Sequence, residues 1–158
     1  MYTGIIEKKS IKADELEVAD MEKYEVREMM VAMELARKRI LQPYFQELGL
    51  TVGQPRILNK LFEEDRITQR ELADRCRLDV ASISRALDKL EDAGYLTRER
   101  HPECRRSFLV VLTASGREKA EAVHQKFQGL DQRIWQGIGE QEMESFLSCA
   151  QKILHNLE

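Results

Sequence analysis

The chain has 158 residues, 42% apolar and 34% charged, with only three prolines and eight glycines; this suits one domain of long helices and excludes a many-turned β-sandwich. Its net charge is −3, and its three cysteines, Cys76, Cys104 and Cys149, stand far apart with no CxxC pair or histidine cluster, which excludes a disulfide framework and a zinc site and fits a reducing compartment. No stretch approaches the roughly 18 apolar residues of a membrane span and no apolar leader opens the chain, so no membrane partner and a cytoplasmic location are expected.

Residues 1–12 are polar and unpatterned and predict a frayed end. From about Ala19 a helix is expected, because Met21, Tyr24, Met29, Met33, Ala36, Ile40 and Leu41 recur at three- and four-residue steps. Pro43 should kink or interrupt it, and Gly49 should stop it. Thr51 offers an N-cap with Gln54 at capping-box spacing, Pro55 belongs in the first turn, and Ile57, Leu58, Leu61 and Phe62 form the apolar face. This second helix should end within residues 63–66. Thr68 with Glu71 makes another capping box, opening a short helix with Leu72, Ala73 and Cys76 inward. Asp79 can cap a fourth helix whose inward stripe is Val80, Ile83, Leu87 and Leu90, with Ser82, Ser84, Arg85, Asp88 and Lys89 facing elsewhere; Gly94 closes it.

Two β-prone runs follow, residues 95–100 and 107–112, around a polar loop that contains Pro102; they read as a hairpin. Thr113 can cap a fifth helix, with Ala120, Val123, Phe127, Leu130 and Ile134 at helical steps. Gly137 and Gly139 break it, and a last helix carries Met143, Phe146, Leu147, Ala150, Ile153, Leu154 and Leu157.

The expected fold is therefore mainly α with a small β-hairpin (α+β). Two capped helices about a dozen residues apart, the second with a polar outer face and a basic hairpin behind it, have the order of a winged helix-turn-helix. In that arrangement the second helix enters the major groove of double-stranded DNA and its N-terminal residues meet base edges. Ala81, Ser82, Ser84, Arg85 and Lys89 are the candidates there, since Arg pairs bidentately with guanine and Ser donates or accepts. Thr68, Gln69 and Arg70, at a helix N-terminus, suit a phosphate. Arg98, Arg100, Arg105 and Arg106 give the hairpin the charge to reach backbone or minor groove. Taken singly, each of these residues reads as part of a solvated face; the ordered combination is what points to DNA. The charge distribution agrees: from Arg66 to Arg106 ten Arg or Lys stand against eight Asp or Glu, leaving 15 against 20 elsewhere.

Four segments resemble the MarR family of regulators: residues 49–58 its second helix, Ile67–Ala73 its helix-turn-helix entry, Leu90–Arg98 its junction into the wing, and Arg105–Gly116 its return strand and long helix. The resemblance spans about residues 20–157. It implies one MarR-like domain over 1–158, with a winged lobe at 50–113 and helical dimerisation regions at 19–48 and 114–157. It also implies a homodimer on an inverted repeat, repression as the commoner mode, and release by a small molecule, often aromatic or phenolic, in a crevice bordered by the first, second and fifth helices. Met29, Met30 and Met33 could offer that crevice a pliable wall, although such a stripe reads first as core or dimer seam. From the residues themselves, Phe127, Leu130, Ile134, Trp135, Phe146, Leu147, Ile153 and Leu154 exceed what one small lobe covers, as an interface would.

The wing departs from the family pattern, with His101 and Cys104 where acidic residues are frequent. A thiol beside Arg105 and Arg106 invites an oxidant sensor with a lowered pKa. The redox branch of the family usually places its cysteine in the first helix, where this chain has none, so Cys104 is expected to be incidental and a redox-responsive regulator is the alternative. Cys76 and Cys149 are expected to be small buried thiols. An enzyme is not expected: His101, His124 and His155 are scattered, no nucleophile motif or glycine-rich phosphate loop occurs, and no cofactor is implied. A winged helix used only for protein contacts is the second alternative.

Overall fold

The computed structural model describes residues 18–104 and 106–158; the end expected at 1–12, the Met21 side chain and Arg105 lie outside the described residues. Helix α1 runs Val18–Glu47 and contains Pro43 rather than stopping at it. The proline removes a single N–H donor from a 30-residue helix, a local loss that the rest of the ladder tolerates. Gly49, at φ +73, closes the helix, its N–H donating to Gln46 O at 2.9 Å while Leu50 N–H reaches Phe45 O, the double closure that a left-handed residue permits. The chain divides between Tyr44 and Phe45 into two compact units.

In the first unit α1 presents Val26, Met29, Met30, Val31, Met33 and Leu35 to solvent.

The second unit holds everything else. Helix α2 spans Gln54–Glu63 with Gly53 at its N-cap, so Thr51 is not the cap that its spacing suggested. Half of the box still forms, because Gln54 Oε1 accepts Thr51 N–H at 2.7 Å. Gly53 at φ +90 turns the chain into the helix two residues later, and only glycine enters that region without strain. Strand β1 (Ile67–Thr68) leads into α3 (Gln69–Cys76), and a turn at Arg77–Asp79 leads into α4 (Val80–Asp92). Strands β2 (Leu96–Arg100) and β3 (Phe108–Leu112) form the hairpin.

The sheet has three antiparallel strands in the order β1-β3-β2, with Ile67 opposite Val110 and Leu96 opposite Leu112. Sequence reasoning anticipated the hairpin and missed β1, since two residues carry no periodicity to detect.

Helix α5 (Ala114–Ile134) is capped by Thr113, whose hydroxyl accepts Gly116 N–H at 3.0 Å. Its first turn presses on the end of α4: Thr113 N–H donates to Tyr95 O, and the Thr113 and Ser115 hydroxyls both donate to Gly94 O. A Cβ at Gly116 would lie 1.7 Å from Tyr95 O, which explains the glycine. Helix α6 covers Glu140–His155.

The core of this unit sits among α2, α3, α4, α5 and the sheet. Ile57, Leu58, Leu61, Leu72, Ile83, Leu87, Leu90, Ala120 and Val123 are fully buried, each large aliphatic side chain contributing roughly 1.5–3 kcal/mol. Val80, expected in the inward stripe, is 65% exposed; it lies one turn before Ile83, where the helix overhangs its support. Helix α6 buries none of its residues, and Phe146 and Leu147 are 51% and 57% exposed. Cys149 is exposed, not buried, because α6 lacks a neighbour over that face within the chain.

Candidate nucleic-acid interface

Thr68 ends β1 and caps α3, its hydroxyl accepting Glu71 N–H while the Glu71 carboxylate accepts Thr68 N–H at 2.8 Å. These bonds from the Thr68 backbone and hydroxyl hold the Glu71 carboxyl below its ordinary range. Gln69 and Arg70 follow in the first turn, at the positive end of the helix dipole. Arg77 then adopts φ 50, a left-handed turn that redirects the chain into α4. Asp79 caps α4 by accepting Ser82 N–H at 2.8 Å, and its carboxyl is likewise lowered by Ser82.

With Ile83, Leu87 and Leu90 locked inward, the opposite side of α4 is fixed in direction. Ala81, Arg85 and Lys89 are exposed there, with Ser82 and Ser84 half-buried beside them. Arg85 leans back along its own helix, its Nε 3.3 Å from Ala81 O.

Between the start of α3 and the hairpin lies an open cleft of about 370 Å³, lined by Thr68, Gln69, Arg70, Arg98, Arg106, Ser107, Phe108 and Val110. Ser107 and Phe108 were not among the expected site residues. Phe108 alternates with Val110 and Leu112 and so reads as core, yet it is 50% exposed because β3 leaves the core at its first residue.

The cations of this region divide into two groups. Lys60, Arg66, Arg75, Arg98 and Arg117 are paired with carboxylates; Arg66 meets Glu99 at 2.8 Å and Arg117 meets Asp65 at 2.6 Å. Arg56, Arg70, Arg77, Arg85, Lys89, Arg100 and Arg106 have no ion pair among the described residues, and all seven are exposed. Arg98 departs from the expectation of a free wing arginine: both of its terminal nitrogens are bound to carboxylates of α4. The placement of Arg105 lies outside the described residues.

The wing turn is held without the acidic residue frequent in the family, since His101 Nδ1 accepts Glu103 N–H at 3.1 Å. The Cys104 thiol is exposed and held below its usual range, first by the Ser107 hydroxyl 3.3 Å from its sulfur and then by the Arg106 backbone. Among the described residues the cause is hydrogen bonding. Burial pushes the Cys76 thiol up. Met29, Met30 and Met33 are exposed on α1. Among the described residues no group of His, Cys, Asp or Glu could hold a metal, and no helix is long and apolar enough to cross a membrane.

Two helices joined by a three-residue turn, with a hairpin packed behind the second, define a winged helix-turn-helix lobe of the DNA-binding class. Residues 50–108 match the MarR family model. That match covers the winged lobe, and the chain is similar to DNA-binding transcriptional regulators of the MarR family.

The chain is 27% identical over 109 residues to an uncharacterized HTH-type transcriptional regulator of Bacillus subtilis, YdgJ, a match covering 69% of this chain and 66% of that relative. It is similar to a transcriptional regulator of the MarR family from Silicibacter pomeroyi, with a TM-score of 0.72, 28% identity and coverage of 90% of this chain and 97% of that one. It is also similar to a mutant MarR from Escherichia coli in complex with operator DNA, with a TM-score of 0.69, 26% identity and coverage of 84% and 96%.

Proposed function

We propose that this chain is a cytoplasmic, homodimeric repressor that binds an inverted-repeat operator in double-stranded DNA and is released by a small-molecule effector. The observation that carries the reading is a set of exposed cations with no ion pair among the described residues: Arg70 at the start of α3, Arg85 and Lys89 on the outer side of α4, and Arg100 and Arg106 on the wing. Exposed cations without partners are what phosphate oxygens recruit.

In this reading the lobe 50–113 lays α4 in a major groove. Ala81, Ser82, Ser84, Arg85 and Lys89 meet base edges there, Thr68, Gln69 and Arg70 hold a phosphate, and Arg100, Arg105 and Arg106 reach the adjoining backbone or minor groove. Residues 19–48 and 114–157 hold two copies together so that the lobes meet half-sites about one helical turn apart. The complex of the E. coli relative with operator DNA supports this geometry. The exposed methionines of α1 supply adaptable apolar surface for an aromatic effector.

Selection of duplexes from a random pool by gel shift tests the reading, and an inverted repeat is the expected product. Binding should weaken steeply with salt, with a slope of about −0.9 per neutralised phosphate. Failure to bind any duplex at low salt would overturn it and leave a winged helix for protein contacts. Cys104 is assigned no sensing role, so peroxide should leave operator binding equal in the wild type and Cys104→Ser.

A further inference from the structure

Arg98 lies in the middle of β2, opposite Val110 of β3, with a side chain only 24% exposed. Its Nη1 binds Glu91 and its Nη2 binds Asp88 at 2.6 Å. The two carboxylates are three residues apart on α4, so a single guanidinium fork spans one turn of that helix from the neighbouring strand. A planar fork with donors in fixed directions sets an angle as well as a distance, which an ammonium could not do.

We infer that Arg98 is a positioning residue for DNA recognition: it fixes the wing against α4 and cancels two carboxylates that would otherwise face the nucleic acid, without touching the DNA. The inference rests on the proposed groove reading. Arg85 and Lys89 flank Asp88 on α4, and Arg106 rims the same cleft as Arg98. If the fork is lost, the wing is released and Asp88 and Glu91 repel phosphate beside the residues meant to bind it. Arg98 therefore acts on affinity through its partners.

The test is a double-mutant cycle of Arg98→Ala with the pair Asp88→Asn and Glu91→Gln, read as operator affinity over a range of salt. Arg98→Ala should cost about tenfold in the wild-type background and less than about twofold in the neutralised one, the coupling expected within one ion-pair network. Its salt slope should match the wild type, whereas Arg106→Ala should lower the slope by about 0.9. A slope lowered equally by Arg98→Ala, with the same loss in both backgrounds, would show a direct phosphate contact and overturn the inference.

A second readout needs no DNA. Spin labels on Cys104 and on Asp92→Cys, in Cys149→Ser protein, report the distance from wing to α4. Arg98→Ala should broaden a narrow distribution, and an unchanged distribution sinks the strut. Should the wild type bind no duplex, the groove reading falls alone, and this distance decides the wing–helix coupling.

Discussion

The lobe built on α2–α4 and the helices at the two ends of the chain follow opposite rules of burial. In the lobe, Leu58, Leu72, Ile83 and Leu87 are fully covered, and the polar surface of α4 is what remains outside. In α6 nothing is buried, and Phe146 and Leu147 stand in solvent, as do Leu157 beyond its end and Met29 and Met33 of α1. Both kinds of helix carry large apolar side chains. What differs is whether the chain supplies a cover, so the lobe is complete in one copy while the terminal helices carry an apolar surface that a second copy would close.

The sharpest way to break this contrast is to damage each side in turn. Leu87→Ala should destabilise the lobe by about 2–5 kcal/mol in urea unfolding, because its neighbours cannot close around the void. Phe146→Glu together with Leu147→Glu should leave the lobe folded and convert the protein to monomer in sedimentation, with the association weakened by about 2 kcal/mol or more if these are central anchors. A dimer that survives this pair would erase the contrast and place its seam elsewhere.

Smaller effects sharpen the picture on the DNA side. Arg85→Ala should cost about 1–3 kcal/mol on the preferred duplex and relax sequence preference, whereas Arg106→Ala should weaken all duplexes alike; equal, sequence-independent losses would remove the base-reading role of Arg85. Thr68→Ala should cost the lobe about 0.5–2 kcal/mol by removing the α3 cap. Because the folded Glu71 pKa is depressed, its contribution is complete above the ordinary glutamate range and is lost as pH falls through the lowered value. Urea midpoints of wild type and Glu71→Gln should therefore differ at pH 7 and converge as the buffer is taken below about 4. A constant difference across that range would refute the assignment.

Most of the lobe was legible because its signals are local. The Thr68–Glu71 box, the Asp79 cap and the inward spacing of Ile83, Leu87 and Leu90 each need only a few residues of sequence. What escaped depends on partners distant in sequence. Strand β1 exists because β3 lies beside it, and Val80 and Cys149 are exposed because of what does not lie over them. Gly53 rather than Thr51 opens α2 because a left-handed turn overrides a good cap spacing. Among the candidate site residues, the pairing of Arg98 escaped for the same reason: its seven- and ten-residue separations from Glu91 and Asp88 become contacts only when the hairpin folds back on α4. Pro43 does not interrupt α1, which runs on to Glu47.

Asp65 has a consequence for the order in which the lobe assembles. Its Oδ1 accepts Arg66 N–H and, 47 residues later in the chain, Leu112 N–H, while its Oδ2 meets Arg117. On a chain emerging from its N-terminus, α2, α3 and α4 are all available before Asp65 has any distant partner. Ile67 likewise waits for Val110. Long loops must close before such contacts return any free energy, so they belong to the late side of the folding barrier. Substitution of Asp65 by Asn should accelerate unfolding and leave the refolding rate nearly unchanged in stopped-flow chevrons. A wing that completes itself last is also the first part to open, so the hairpin is the edge from which the lobe comes apart.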